Sequence, residues 1–229
     1  MKNIIITGAG GNLGKAVTST FINNGYRIIA TASSEQGKSD IPPGVNVHVY
    51  VVDLSDEKQT ADFIKRIFDE HKQVDGAILL AGGFAAGNVE KTSAGDIHAQ
   101  IALNFNTAYN IARPVFTHML QRGEGRIIFI GSRPALEAAA GKGMVAYGLS
   151  KAMLFKLSEY MNAEAKGKNV VTTVIAPSTI DTEANRNSMP DADPAKWVKP
   201  SVLAEIMEFI VSEKGTPLRE TVLKVYNNA

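Results

Sequence analysis

The segment IIITGAGGNLGKAV, Ile4–Val17, constrains the fold more than any other part of the chain. An apolar run of strand length ends at Thr7, glycines interrupt it, and helical periodicity begins at Asn12. Gly8, Gly11 and Gly14 allow a sharp turn, a close approach of bare backbone to an anion, and tight packing of helix on strand. The free N–H groups of the first helical turn, at Asn12 and Leu13, face outward at the positive end of the helix dipole. The same glycines also suit a tight turn with no ligand, so the rest of the chain must decide between the two.

Short Ile- and Val-rich runs recur at Asn3–Thr7, Arg27–Ala32, Val45–Val52, Ala77–Ala81, Arg126–Ile130, Val170–Ile175 and Thr221–Tyr226. They show little polar alternation, as expected of strands buried on both faces. Helical periodicity fills most of the intervals, at Asn12–Asn24, Asp56–His71, Gly95–Gln121, Ala146–Lys166 and Ser201–Glu213. Strand alternating with helix predicts an α/β fold, a doubly wound parallel sheet of about seven strands with helices on both faces. The link Ser33–Gly44, with Gly37, Pro42 and Pro43, leaves no room for a long helix, so that crossover is abbreviated. With no repeat and no linker, residues 1–229 read as one domain. Residues 183–200 form the one long irregular insertion, starting where strand ends border the ligand crevice of such sheets.

Lys and Arg total 24 against 23 Asp and Glu, spread along the chain. That leaves no electrostatic footprint for nucleic acid or an anionic membrane and favours a small, nearly neutral substrate. There is no cysteine, and His48, His71, His98 and His118 show no ligand spacing, so no metal is expected. The start of the chain is too weak for a signal peptide, and no apolar run reaches the roughly 18 residues of a membrane span. A cytoplasmic protein is expected.

AYGLSK places Tyr147 and Lys151 four residues apart at the start of a helix, on one face. If that face meets a ligand, the ammonium is expected to lower the phenol's pKa and ready Tyr147 to give or take a proton. Ser132 ends the preceding strand, where its hydroxyl would hold a substrate oxygen. A turn cap is the ordinary role of such a serine. Asn104, in ALNFNTAYN, reads alone as a buried, hydrogen-bonded helix residue.

Taken in order, Asn104, Ser132, Tyr147 and Lys151 resemble the Asn-Ser-Tyr-Lys tetrad of the short-chain dehydrogenase/reductase family. The glycine turn resembles that family's cofactor turn, with Asn12 in place of a glycine. The fold implied is Rossmann-type and the activity implied is NAD(P)-dependent hydride transfer. By the same resemblance Asp53 and Leu54 border the adenine, Ala81, Gly82 and Gly83 approach the dinucleotide, and Pro177, Thr179 and Thr182 form a further cofactor turn. On residues alone Asp53 would be a helix N-cap. Family members carry Asn-Asn-Ala-Gly where this chain has Leu79-Leu80-Ala81-Gly82, so bare backbone replaces two polar side chains. The same fold also serves cofactor-sensing proteins without activity, a reading that the Tyr147–Lys151 pair disfavours.

At the end of the second strand stand Ala32, Ser33 and Ser34, with no carboxylate to take a ribose 2′-hydroxyl, so NADP(H) is modestly favoured over NAD(H). Lys15 or Lys38 is expected to add charge there. AGGFAAGN, GMVAYGLSKA and DTEANRNSMPDADPAKW resemble the dihydropteridine reductase branch of the family, which generally has no counterpart of Ser132 and Asn104 and prefers NADH. The implied substrate stays open between a small carbonyl or alcohol and a quinonoid dihydropteridine-like ring. Phe84 and Arg133 are expected to border it. Met189 and Trp197 would form an apolar lid, with Asn185 or Arg186 supplying polar contacts; Trp197 docked on the core is the alternative. The resemblance implies a homodimer or homotetramer paired through the two long helices, with Ala138–Ala140 permitting close approach.

Overall fold

The computed structural model describes residues 1–228. Seven parallel strands form one sheet in the order β3-β2-β1-β4-β5-β6-β7. They are β1 Asn3–Thr7, β2 Arg27–Ala32, β3 Val47–Val51, β4 Gly76–Leu79, β5 Glu124–Ile130, β6 Asn169–Pro177 and β7 Val222–Val225. Every strand expected from the apolar runs is present, within a few residues at each end. The edge strands β3 and β7 are only partly buried, unlike the inner five, because each lacks a neighbour on one side.

Side chains alternate across the sheet and divide the core in two. Ile5, Ile29, Ile127 and Phe129 face a layer built from α2 (Glu57–His71), α4 (Thr107–Arg122) and α5 (Val145–Glu164). Ile4, Ile6, Ile28, Ile128 and Ile130 face α1 (Asn12–Asn23) and α7 (Pro200–Val211). Between β2 and β3 the crossover shrinks to a 3-10 turn, Gln36–Asp40.

The expected helix Gly95–Gln121 is broken into α3 (Ala94–Ile101), a π-turn at Ala102–Asn106 and α4. The insertion 183–200 is less irregular than its sequence suggested, holding α6 (Glu183–Ser188) and a 3-10 turn at Pro194–Lys196. Thr182 and Asp193 cap these two pieces by accepting the Asn185 and Ala195 N–H groups. Ala138–Ala140 lies in the turn before α5 and not on a long helix, so it offers no helix–helix approach. No helix among the described residues is long and apolar enough to cross a membrane.

The chain leaves β1 toward β2 and β3, then returns to lay β4 on the other side of β1. A crevice opens at such a reversal, beyond the carboxyl ends of the strands. The Thr7 hydroxyl closes its base by accepting from Leu80 N at 3.0 Å and Ala81 N at 3.1 Å.

Close packing of α1 on this crevice depends on Gly14, where a Cβ would stand 2.0 Å from the Gly8 carbonyl oxygen and 2.8 Å from the Ala9 backbone. Alanine gains roughly 1 kcal/mol of helix propensity over glycine, too little to offset a clash with main chain. Gly14→Ala is expected to lower unfolding free energy by a net ~1–3 kcal/mol in urea titration, the usual cost of overpacking.

Candidate active site

Gly8 takes φ +62°, in the left-handed region, and a Cβ there would lie 3.1 Å from the Ala81 nitrogen. Gly11 N donates to Gly8 O at 3.0 Å, and Gly11 then serves as N-cap of α1 with no side chain accepting from the first turn and no acid in it. Gly11 and Asn12 are exposed and Leu13 is half-buried. The first turn of α1 thus presents backbone donors and a dipole end to the crevice, with no side chain in the way.

Across the crevice, Asn104 grips Gly83 and stands against Gly82. Its Oδ1 accepts from Gly83 N at 2.9 Å, and its Nδ2 is shared among Gly83 O, Gln100 Oε1 and Ser150 Oγ at 3.0–3.1 Å. The π-turn places this side chain, 1% exposed, against the loop. A Cβ on Gly82 would fall 2.4 Å from Asn104 Oδ1 and 3.3 Å from Lys151 Nζ. Farther along the loop, Gly87 N donates to Gly143 O and Val145 N to Gly87 O, fastening it to the start of α5.

Ser132, Tyr147 and Lys151 converge beside this loop. Lys151 is 4% exposed and donates to Ile130 O at 3.0 Å. Burial without a carboxylate partner brings its ammonium down to about 8. Burial raises the Tyr147 phenol, and the nearby Ser132 hydroxyl works the other way. The expected lowering of Tyr147 by the Lys151 charge is not found; desolvation dominates, and the ammonium is turned to the Ile130 carbonyl. Ser132 Oγ is buried with no hydrogen-bond partner, its approach to Tyr147 falling short of a formed bond. Such an orphan hydroxyl is costly unless something else accepts or donates there. Phe84, 60% exposed, stands edge-on to the Tyr147 ring at 5.1 Å.

The outer residues are more engaged than the sequence suggested. Trp197 is 6% exposed, docked and not a lid, while Met189 stays exposed at the loop tip. Asn185 Nδ2 donates to Ile180 O, and Arg186 forms a two-pronged pair with Asp181 at 2.6 and 2.9 Å, so both expected polar contacts are occupied within the loop. Thr182 is spent as the α6 cap, Thr179 O accepts from Val198 N, and Pro177 is buried at the end of β6. Arg133 pairs with Glu137 at 2.7 Å and lies over the Tyr226 ring at 4.9 Å.

At the far end of the crevice Ala32 is buried, Ser33 is exposed, and Ser34 Oγ accepts from Gly37 N. Lys15 pairs with Asp40 at 3.0 Å and Lys38 with Glu35 at 2.9 Å, so neither cation stands free there. Asp53 is not the α2 N-cap; Asp56 is, and Asp53 accepts from Ser55 N and Oγ, which lowers its carboxyl. Leu54 is buried, with its carbonyl taken by Asn110 Nδ2. Sequence reasoning missed Gln100 and Ser150, which orient Asn104, and Thr7. Ser150 lies one turn after Tyr147, a spacing that would have revealed it.

A bare glycine cradle, an uncapped helix start and an orphan hydroxyl beside a half-buried tyrosine and a buried lysine define a dinucleotide-dependent oxidoreductase on a doubly wound sheet. The short chain dehydrogenase family matches residues 2–193, and the chain belongs to it. It is thus an NAD(P)-dependent enzyme of hydride transfer. Dihydropteridine reductase of Dictyostelium discoideum is 27% identical over 227 residues, 97% of this chain and 94% of that protein. The FabG 3-oxoacyl-[acyl-carrier-protein] reductase of Thermotoga maritima is 22% identical over 98% of this chain and 96% of its own. Among solved structures, ElxO with NADP bound superposes with TM-score 0.90 at 23% identity, covering 98% of this chain and 96% of the other.

The buried lysine sets a pH dependence. Below about pH 8 Lys151 is charged in both folded and unfolded states, and the folded protein bears the full desolvation cost; between 8 and 10.5 the folded state sheds the proton first and stability rises; above 10.5 the cost is gone. The stability of the wild type relative to Lys151→Met is expected to improve by about 3 kcal/mol between pH 7.5 and 11 in chemical denaturation.

Proposed function

We propose that this enzyme transfers hydride between NADP(H) and a small carbonyl or alcohol whose oxygen lies between Tyr147 and Ser132. The observation that carries the reading is the buried, unpartnered Ser132 hydroxyl beside the Tyr147 phenol. A substrate oxygen there takes two hydrogen bonds and relieves the orphan.

The glycine turn at Gly8–Gly14 and the start of α1 would hold the pyrophosphate. Ala32–Ser34, Asp53 and Leu54 border the adenosine end, and Ala81–Gly83, Lys151, Pro177, Thr179 and Thr182 the other. When bound, the nicotinamide supplies or accepts the hydride. Tyr147, a phenol that is protonated at neutral pH and that burial raises further, gives its proton to the substrate oxygen in reduction and takes it back in oxidation. Ser132 orients that oxygen and favours the phenolate left behind. Lys151 holds a positive charge one helical turn away on the same face, and Asn104 fixes the Gly82–Gly83 backbone. Arg133, Asn185, Met189 and Trp197 belong to the substrate wall, and of the three on the loop Met189 is the exposed one. The whole chain acts as one cofactor-binding unit, and two or four copies pair through α4 and α5, where Leu149, Met153 and Tyr160 of α5 and Leu103 of the π-turn before α4 are exposed.

A second reading, reduction of a quinonoid dihydropteridine, draws support from exposed Phe84 at the Tyr147 ring and from the full-length likeness to a dihydropteridine reductase. A flat ring stacks on such an aromatic face.

Tyr147→Phe is expected to lower kcat by about 10²–10⁴-fold while NADPH affinity stays within a few-fold; turnover kept near wild type removes Tyr147 as the acid. Ser132→Ala separates the substrates: loss of about 10²-fold with carbonyls supports the first reading, near-normal rates with quinonoid dihydropterin the second. In fluorescence titration NADPH is expected to bind more tightly than NADH, and equal or reversed affinities overturn that preference.

A further inference from the structure

Both stalks of the 183–197 loop are tied to the frame, by different means. At the base the stalk leaving β6 is bridged to the returning one: Val198 N donates to Thr179 O at 2.9 Å and Asp181 N to Val198 O at 2.8 Å, closing a short parallel bridge. On the other side the tie comes from beyond β7. The Asn227 carboxamide donates to Trp197 O at 3.0 Å and to Ala195 O at 3.3 Å, catching the loop where it re-enters the core. Asn227 holds φ +54°, a left-handed conformation that asparagine tolerates better than most residues and that turns its side chain onto the loop.

The residue before it completes the fastening. Tyr226 O accepts from Ser178 Oγ at 2.7 Å, Val225 O accepts from Ser178 N at 3.0 Å, and the Tyr226 ring lies under the Arg133 guanidinium at 4.9 Å. One dipeptide therefore joins the end of β6, the residue that follows Ser132, and the base of the loop.

We propose that Asn227 is a positioning residue for substrate binding: it pins the second stalk at Ala195–Trp197, so that any adjustment to a ligand is confined to α6 and the exposed Met189 tip. This rests on the reading of the loop as a substrate wall. Among the described residues no hydrogen bond joins Asn227 to the glycine cradle; its partners Ala195 and Trp197 lie on the stalk that this reading assigns to the substrate.

Trp197 is the chain's single tryptophan, and its emission reports docking of the stalk without any substrate. Asn227→Gly keeps the left-handed backbone and deletes the side chain; Asn227→Asp keeps the shape and removes the donors. In both variants the emission is expected to shift to the red, KM for the best substrate to rise about five-fold, the size of one lost hydrogen bond, with kcat within about two-fold and NADPH affinity unchanged. An unshifted emission in both folded variants overturns the anchor. A red shift with unchanged KM overturns the role in substrate binding, and with it the reading of the loop as a substrate wall, while leaving Tyr147 chemistry untouched. If Asn227→Gly fails to fold, Asn227→Asp carries the same comparison.

Discussion

Main chain meeting main chain at the sheet's reversal point sustains the rest of the site. Gly14 stands against the Gly8 carbonyl, Gly8 against Ala81, and the Thr7 hydroxyl accepts from two backbone amides of the next loop. Apart from the Thr7 hydroxyl no side chain intervenes, so the turns that follow β1 and β4 approach more closely than a Cβ at Gly8 would allow. That approach aligns the uncapped start of α1 with the Gly82–Gly83 loop. From the second loop the order continues through Asn104 to Ser150 on α5, the helix that also carries Tyr147 and Lys151.

The same arrangement strains the protein electrostatically. Lys151 is an ammonium with a single carbonyl partner in a dry setting, and Ser132 is a hydroxyl with none. Each opposes folding in the ligand-free chain, where apolar replacements would stabilise it. The two helical layers on either side of the sheet supply the stability that tolerates this.

What could be read from the sequence follows from how far each contact reaches along the chain. The strands, the glycine turn and the Tyr147–Lys151 face depend on neighbours within a turn or two, and periodicity exposes them. Asn104 reads as an ordinary helix asparagine because its partners Gly83 and Ser150 are distant in sequence, and the π-turn that aims it has no local signature. Trp197 was ambiguous for the same reason: burial is decided by packing and by Asn227, thirty residues on. The direction in which Tyr147 is shifted differs from the expectation because charge proximity is visible in a motif, whereas desolvation depends on the whole surrounding shell.

The shortened crossover between β2 and β3 bears on how such an enzyme changes over generations. No residue of the turn Gln36–Asp40 is buried, yet its ion pairs hold the two lysines nearest the end of the crevice where Ser33 and Ser34 stand. Substitutions at exposed positions like these typically alter stability by only about 0.5 kcal/mol. If Ala32–Ser34 border the adenosine end as proposed, choice of dinucleotide would be insulated from the folding core, and drift within a few surface residues would redirect the enzyme to a different redox pool without passing through an unstable ancestor.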